Sequence, residues 1–413
     1  MWSLCRYTFF GCLIVLGGVQ VASADCSQFI KPQDVLECAL EQHPEVKQAL
    51  ARAEQGQKLG EIAAQRPNPE LDGSALAVKG QGDGLSSQVT LSHIFELGGK
   101  RSARLEKAQA ENQILSAGVL KAKEETALST VSALYRIRQI EVEIATIDEA
   151  LHTFTLIEKQ LKARPRLTPD QEVALATFQL VASDYRLRKK ALSGEKLAHV
   201  KLLELSIGRP LELSPQILPS IKEAWPTFVD GFKASEFQGS DISRLRASLK
   251  TAEADQSLAY GASWPNLKIG PSFQTQSGAL NNSQGYGIAL SLPLPLYQAN
   301  GGGRAYAAKG IAASEVTLET GGNQLQTERQ QELLRYQSAL NAMQESGTLR
   351  DVDKRHQNLE RLFKGGLIIS SMVIEAHRQI VDLTRNINEQ ELLAIRALWR
   401  IYAIEGRVLK EKI

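Results

Sequence analysis

Two short stretches decide the fold: Val89-Thr90-Leu91-Ser92 and its echo Ile288-Ala289-Leu290-Ser291, a shift of 199 residues from position 89 to position 288. Each alternates an apolar residue with a small or polar one, the period of a strand with two unlike faces. The copies carry their surroundings with them. Upstream, Arg66-Pro67-Asn68 is matched by Trp264-Pro265-Asn266; downstream, Gly98-Gly99-Lys100-Arg101 is matched by Gly301-Gly302-Gly303-Arg304. The period is too long for a solenoid, whose repeats run about 20–50 residues. It points to a pseudo-symmetric chain whose halves take equivalent places in a larger ring or barrel.

Outward from the first copy, residues 71–78 and 87–97 read as two extended segments joined by the glycine-rich loop 79–84. The second puts Val89, Leu91, Phe95 and Leu97 on one face and Gln88, Thr90, Ser92 and Glu96 on the other. In the second copy Leu267, Ile269, Pro271 and Phe273 alternate with Lys268, Gly270, Ser272 and Gln274. After the loop 277–283, Tyr286, Ile288, Leu290, Leu292 and Leu294 alternate with Gly287, Ala289, Ser291 and Pro293. Such segments have the length and alternation of bilayer-spanning strands.

Helices flank both pairs. Residues 32–65 read as a helix broken at His43-Pro44, because proline disfavours a helical residue before it, and Pro67-Asn68-Pro69 stops it. From Lys100 to about Lys162 there is no proline and only Gly118, so one helix of about 95 Å is expected. Within it Ile137, Ile140, Ile144, Ile147, Leu151 and Phe154 repeat at spacings of three and four, a coiled-coil seam. A tight turn at 163–169 precedes a return helix, with Asp170 placed as N-cap, running to Ile207. The second half repeats this plan: a helix from 241 to 262, then one opened by Gly302-Gly303 as a flexible joint and reaching Phe363. A turn at 364–370 leads to a last helix, 371–406, with a seam of Val373, Ala376, Ile380, Leu383 and Ile387. Residues 209–238, with four prolines and Trp225, Phe228, Phe232 and Phe237, are the irregular stretch between the halves. The division expected is therefore 1–24, 25–208, 209–238 and 239–413.

Composition narrows the function. Aromatics are 6 % and the formal net charge is +2, with no uncompensated Lys/Arg cluster of the kind nucleic acid requires. The first 24 residues read as a secretory signal: Arg6, an apolar run from Phe9 to Val21, and the small-x-small site Ala22-Ser23-Ala24. Cys5 and Cys12 leave with it. The exported chain keeps Cys26 and Cys38, twelve positions apart, which in an oxidising compartment most often pair as a disulfide. A zinc site would need ligands that no nearby His or Cys supplies. Lipidation at Cys26 is the other reading, although Asp25 stands where a lipobox takes a small residue.

Four strands per chain cannot close a barrel, and open edges cannot face lipid. Three chains pool twelve strands, within the range of outer-membrane barrels. The expected fold is therefore mostly α with a β-barrel portion: a long α-helical coiled-coil barrel plus four transmembrane β-strands per chain, shared in a homotrimer. A soluble periplasmic scaffold with two hairpins is the other reading.

These features resemble the outer-membrane efflux proteins, the TolC-like channel family, over essentially the whole exported sequence. The duplication, His43-Pro44-Glu45 and the run Leu292-Pro293-Leu294-Pro295-Leu296 before Gly301-Gly302-Gly303-Arg304 carry the likeness. Phe95-Glu96-Leu97-Gly98-Gly99-Lys100-Arg101 is most similar to the CzcC-type branch, which serves heavy-metal efflux. The resemblance implies an outer-membrane trimer with a periplasmic helical tunnel, joined through a periplasmic adaptor to an inner-membrane proton-driven pump of the RND type. It further implies that the helical tips meet the adaptor, by position Arg166, Leu167 and Thr168 in the first half and Gly366, Leu367 and Ile368 in the second. Multidrug efflux and type I secretion are alternative duties of the same architecture. No cofactor, metal site or catalytic group is expected. The six histidines show no i, i+4 metal pair, the glycine run lacks a following Lys-Ser/Thr, and no nucleophile elbow occurs.

Overall fold

The computed structural model describes residues 26–79, 84–222, 224–228, 232–278, 282–346 and 370–413, with Lys354, Gln357, Asn358 and Arg361 between the last two ranges. The signal-like segment and the second tip, Gly366, Leu367 and Ile368, lie outside the described residues. In chain order the elements are α1 (Pro32–Gln42), α2 (Pro44–Ala64), β1 (Glu70–Val78), β2 (Gly84–Glu96), α3 (Lys100–Lys162), α4 (Pro169–Ile207), α5 (Ser240–Gly261), β3 (Asn266–Gly278), β4 (Asn282–Ser291), α6 (Gly301–Ser346) and α7 (Ser370–Glu405). Single 3-10 turns at Pro215–Ile217 and Ala234–Glu236 punctuate the irregular stretch.

His43 divides the first helical region chemically as well as sterically. Its backbone leaves the helical region, Pro44 takes the first position of α2, and its Nδ1 accepts a hydrogen bond from the Glu45 N–H at 3.2 Å. Helix α3 is one unbroken element of 63 residues. Its seam buries Ile137, Ile140, Ile147 and Phe154 almost completely.

The four strands form one antiparallel sheet in the order β1-β2-β3-β4. The two copies are thus joined edge to edge through β2 and β3. Strand β4 ends at Ser291, short of the alternation that continues to Leu294 in the sequence. Pro293 and Pro295 have no N–H to give a ladder, so the chain leaves the sheet there. Pro271 leaves a second mark, because the β2–β3 pairing skips Leu91 and Ser92, which face Pro271 and Gly270. Gly270 lets the backbones close in at that place: a Cβ there would lie 1.8 Å from the Leu91 carbonyl oxygen. Gly270→Ala is therefore expected to cost about 1–3 kcal/mol or more, since backbone and not a side-chain tip must move. Gly118→Ala, in open space on α3, should be neutral or stabilising by up to about 1 kcal/mol. The midpoint of heat-induced unfolding, compared for the two variants, checks both.

The joint into α6 differs from the expected glycine hinge. Gly301, Gly302 and Gly303 already lie in the first turn of α6, and the left-handed residue is Asn300, at φ 51°. Asparagine tolerates that conformation, and its Nδ2 donates to the Ala259 carbonyl at 2.9 Å. Gly303 leaves room for this side chain, because a Cβ would sit 2.3 Å from Asn300 Oδ1. In the first copy the same place is held by Gly98 and Gly99, both at positive φ.

Three main packing clusters bind the helices. One joins α1, α3, α6 and α7 through Leu36, Val131, Tyr135, Tyr336, Trp399 and Tyr402, with Trp225 and Phe228 of the irregular stretch packed on it. A second joins α1, α3 and α4 through Val35, Leu134, Leu203 and Ile207, closed by Ile217 and Leu218. The third lies toward the α3–α4 turn, where Phe154, Phe178 and Tyr185 meet Val373 and Val381.

Helix α7 corrects the sequence-based seam. Its most deeply buried stripe is Val373, His377, Val381, Thr384, Asn388, Glu391, Ile395, Leu398 and Tyr402, while Ala376, Ile380 and Leu383 are half-buried beside it and Ile387 is buried. Four polar residues, His377, Thr384, Asn388 and Glu391, occupy core positions, and α3 brings partners to Asn388 and Glu391. Asn388 Nδ2 donates to Glu143 Oε1 at 3.0 Å, Gln139 Nε2 donates to Glu391 Oε2 at 2.8 Å, and Arg138 pairs with Glu391.

Candidate conduit surfaces and tip

The sheet reverses the polarity of a soluble one. On one face Leu71, Val89, Leu91, Phe95, Tyr286, Ile288 and Leu290 stand exposed, Ile288 at 77 % and Tyr286 at 80 %. On the other, Thr90 and Ser92 are buried, at 8 % and 4 %. Hydroxyl and amide groups there hydrogen-bond across strands: Gln88 Nε2 donates to Ser272 Oγ at 2.9 Å, Thr90 Oγ1 to Ser272 Oγ at 3.2 Å, and Gln274 Nε2 to Ser86 Oγ at 3.2 Å. A contiguous exposed apolar face marks a surface for lipid or another protein. Among the described residues β1 and β4 have one neighbouring strand each, so both outer edges carry unpaired backbone groups.

Charge is confined to one end of the sheet. Glu70 and Asp72 begin β1, Glu96 ends β2 and Lys268 lies near the start of β3, all at the helix side. Lys268 pairs with Glu70, Arg104 of α3 holds Glu96 through two bonds of 2.5 and 2.9 Å, and Lys100 Nζ donates to Asn266 Oδ1 at 2.6 Å. The same boundary carries exposed aromatics: Trp264, Tyr297 and Tyr306.

At the far end of α3, the turn gives three unlike roles to the three tip residues named from sequence. Thr168 is the N-cap of α4, in place of Asp170. Its Oγ1 accepts from the Gln171 N–H at 3.4 Å and its own N–H donates to Gln171 Oε1 at 3.2 Å, a capping box. Pro169 explains the shift, because proline is well suited to the first helical position. Asp170 falls in the first turn, where a carboxylate faces the positive helix end. Leu167 is half-buried against the Phe154 cluster. Arg166 is exposed.

Between α3, α4 and α7 lies a group of paired charges that sequence reading did not single out. Arg136 bonds Glu143 and Glu195, each at 2.7 Å, and these hydrogen bonds hold the Glu195 carboxyl below its ordinary value. Burial lowers the His199 imidazole although Glu195 is 3.8 Å away. The charges satisfy one another across helices. Of the remaining histidines, His93 packs edge-on to Phe95 at 4.8 Å, and His377 Nδ1 lies 2.9 Å from the Val373 carbonyl. Among the described residues no group of three His, Cys, Asp or Glu side chains is placed to hold a metal ion. No helix among them is long and apolar enough to cross a membrane.

The class that these features define is a duplicated chain of paired β-hairpins and very long helical hairpins, its sheet apolar on the outside. No family model and no curated protein matches the sequence. Solved structures do match the fold. The open state of the Neisseria gonorrhoeae MtrE outer membrane channel aligns at a TM-score of 0.70, with 17 % identity over 92 % of this chain and 90 % of that one. The outer membrane protein VceC of Vibrio cholerae aligns at 0.65 with 16 % identity, over 91 % of this chain and 96 % of that one. The Campylobacter jejuni CmeC outer membrane channel aligns at 0.65 with 13 % identity, over 91 % and 85 %. The chain has the fold of these outer-membrane channel subunits along nearly its whole length.

Proposed function

We propose that this protein is a TolC-like outer-membrane channel, the exit duct of a tripartite, proton-driven efflux system in a Gram-negative bacterium, and that it exports heavy-metal cations. The observation that carries the reading is the inverted sheet: apolar side chains exposed, hydroxyl and amide side chains turned away, and both edges open beside a helix of 63 residues. In a homotrimer the open edges would pair, β4 of one copy against β1 of the next, and give a closed twelve-stranded barrel without lipid-facing backbone. The apolar face would meet lipid, the Ser/Thr/Gln face the lumen, and Trp264, Tyr297 and Tyr306 the periplasmic membrane boundary. Residues 25–208 and 239–413 would be the two repeats, and 209–238 the belt around the helices.

The duct needs no catalytic chemistry of its own, since an inner-membrane RND-type pump supplies the energy. A periplasmic adaptor would dock at the tips. In the first tip Arg166 is the residue free for that contact, because Thr168 and Leu167 are engaged in capping and packing. Gly366, Leu367 and Ile368 would form the second docking site. The metal assignment rests on the likeness of Phe95 to Arg101 to the CzcC-type branch.

Growth of a deletion strain on graded zinc, cobalt, cadmium, nickel, copper and drug plates tests the cargo. Sensitivity to divalent metals is expected; sensitivity to drugs alone would assign multidrug efflux. A monomeric, wholly soluble product on fractionation would overturn the channel itself. Arg166→Glu is expected to impair resistance with trimer abundance unchanged in the outer membrane. Loss of trimer in that variant would make Arg166 a structural residue.

A further inference from the structure

Cys26 has two chemical fates, and its single sulfur can take only one. In the fold it is joined to Cys38, with Cα atoms 5.5 Å apart, inside the normal range for a disulfide. Cys38 is fully buried with Leu203, Ile207 and Leu211, at the meeting of α1 with the end of α4. The bond does not act alone on residues 26–31. Arg209, just past α4, donates from Nη2 to the Ser27 carbonyl at 2.9 Å and lays its guanidinium 4.5 Å over the Phe29 ring. The Ile30 and Lys31 N–H groups donate to Asp34 Oδ2 at 2.8 and 2.9 Å. At the same helix the chain's last residue, Ile413, donates its N–H to Gln33 Oε1 at 3.2 Å.

We infer that Cys26 matures into an intramolecular disulfide with Cys38 in place of an N-terminal thioether-linked lipid, and that this bond clamps the first residues of the exported chain onto the end of α4. Forming it removes one proton and one electron from each thiol. Both electrons pass to a dithiol–disulfide oxidant of the export compartment, whose own disulfide opens to two thiols. Acylation would instead spend the Cys26 thiol as the nucleophile on a glyceryl donor, and Cys38 would be left as a buried free thiol. The segment 26–31 has few apolar anchors besides Phe29, so its seating depends on the covalent tie and on Arg209. The bond would form whatever the protein transports.

Intact-mass analysis of the full-length protein, exported in a Gram-negative host and purified without reductant, decides it. The expected product begins at Asp25, lacks two hydrogens, carries no acyl chain, and takes up no maleimide until it is denatured and reduced, when it takes up two. A mass increment of a diacylglyceryl group on Cys26, or a thiol labelled before reduction, overturns the assignment. For the clamp, mild reduction of the folded protein and, separately, Arg209→Met should each raise the rate of protease cleavage within 26–31 several-fold. A rate unmoved by both overturns the clamp while leaving the disulfide assignment standing.

Discussion

Glu405→Ala is expected to destabilise the helical body by about 3–5 kcal/mol, the cost of stranding one member of a buried ion pair. Glu405 closes α7 and accepts from Arg329 of α6, Nη2 at 2.7 Å and Nε at 2.8 Å, with both side chains at 5 % exposure or less. Arg329 also lies 5.1 Å over the Phe232 ring, and Arg407 reaches the other carboxylate oxygen at 3.2 Å. Without Glu405 the Arg329 guanidinium stays buried with no counter-charge. Replacing both partners, Arg329→Met with Glu405→Met, should recover most of the loss, because an apolar pair of similar length removes the desolvation cost as well as the attraction. The measurement is the midpoint of heat-induced unfolding, followed by the loss of helical circular dichroism. Glu405→Ala should lower it markedly and the double variant should lie close to the wild type. A single variant indistinguishable from the wild type would show that water reaches the pair.

The same pair shows where sequence reading stops. The long helix α3 was legible to its end residues, because 63 positions without proline and with one glycine leave few places for a break. Strand faces were legible because alternation has a period of two and the apolar members stand out. The interior of α7 was not legible. His377, Thr384, Asn388 and Glu391 are polar, and a polar residue belongs in a core only when a partner arrives to satisfy it. For Asn388 and Glu391 the partners are Gln139, Glu143 and Arg138, roughly 250 positions away in the chain, and no local pattern announces them. The tip cap was legible in principle, since Thr168-Pro169-Asp170-Gln171 is a capping-box pattern with proline at the first helical position. The end of β4 was legible too, because Pro293 and Pro295 forbid a ladder that hydrophobic alternation alone would extend. Arg329 and Glu405 share this limit: each lies in a charged stretch that, read alone, belongs on a solvated surface.

Ile288→Arg should abolish membrane assembly, whereas Gln274→Arg should be tolerated, although the two positions lie in neighbouring paired strands. Ile288 sits opposite Pro271 on the exposed apolar face, and Gln274 sits opposite Gly285 on the hydroxyl and amide face. A lipid-facing arginine costs about 2–4 kcal/mol near the bilayer midplane, and a trimer would carry three of them, roughly 6–12 kcal/mol in all. On the other face Gln274 has glycine as its cross-strand neighbour in β4, so a longer side chain has room to extend, in the proposed barrel toward its lumen. The readout is the amount of heat-modifiable trimer in the outer-membrane fraction, beside the total made. Depletion by Ile288→Arg with survival of Gln274→Arg would place lipid on the apolar face. The opposite ranking would turn the sheet inside out. Equal behaviour of both, with all protein soluble, would instead support the periplasmic scaffold, because a charge on an exposed face of a soluble sheet costs little and improves its solubility. The pair of variants therefore tests the premise on which every transport assignment depends, and it does so without any knowledge of the cargo.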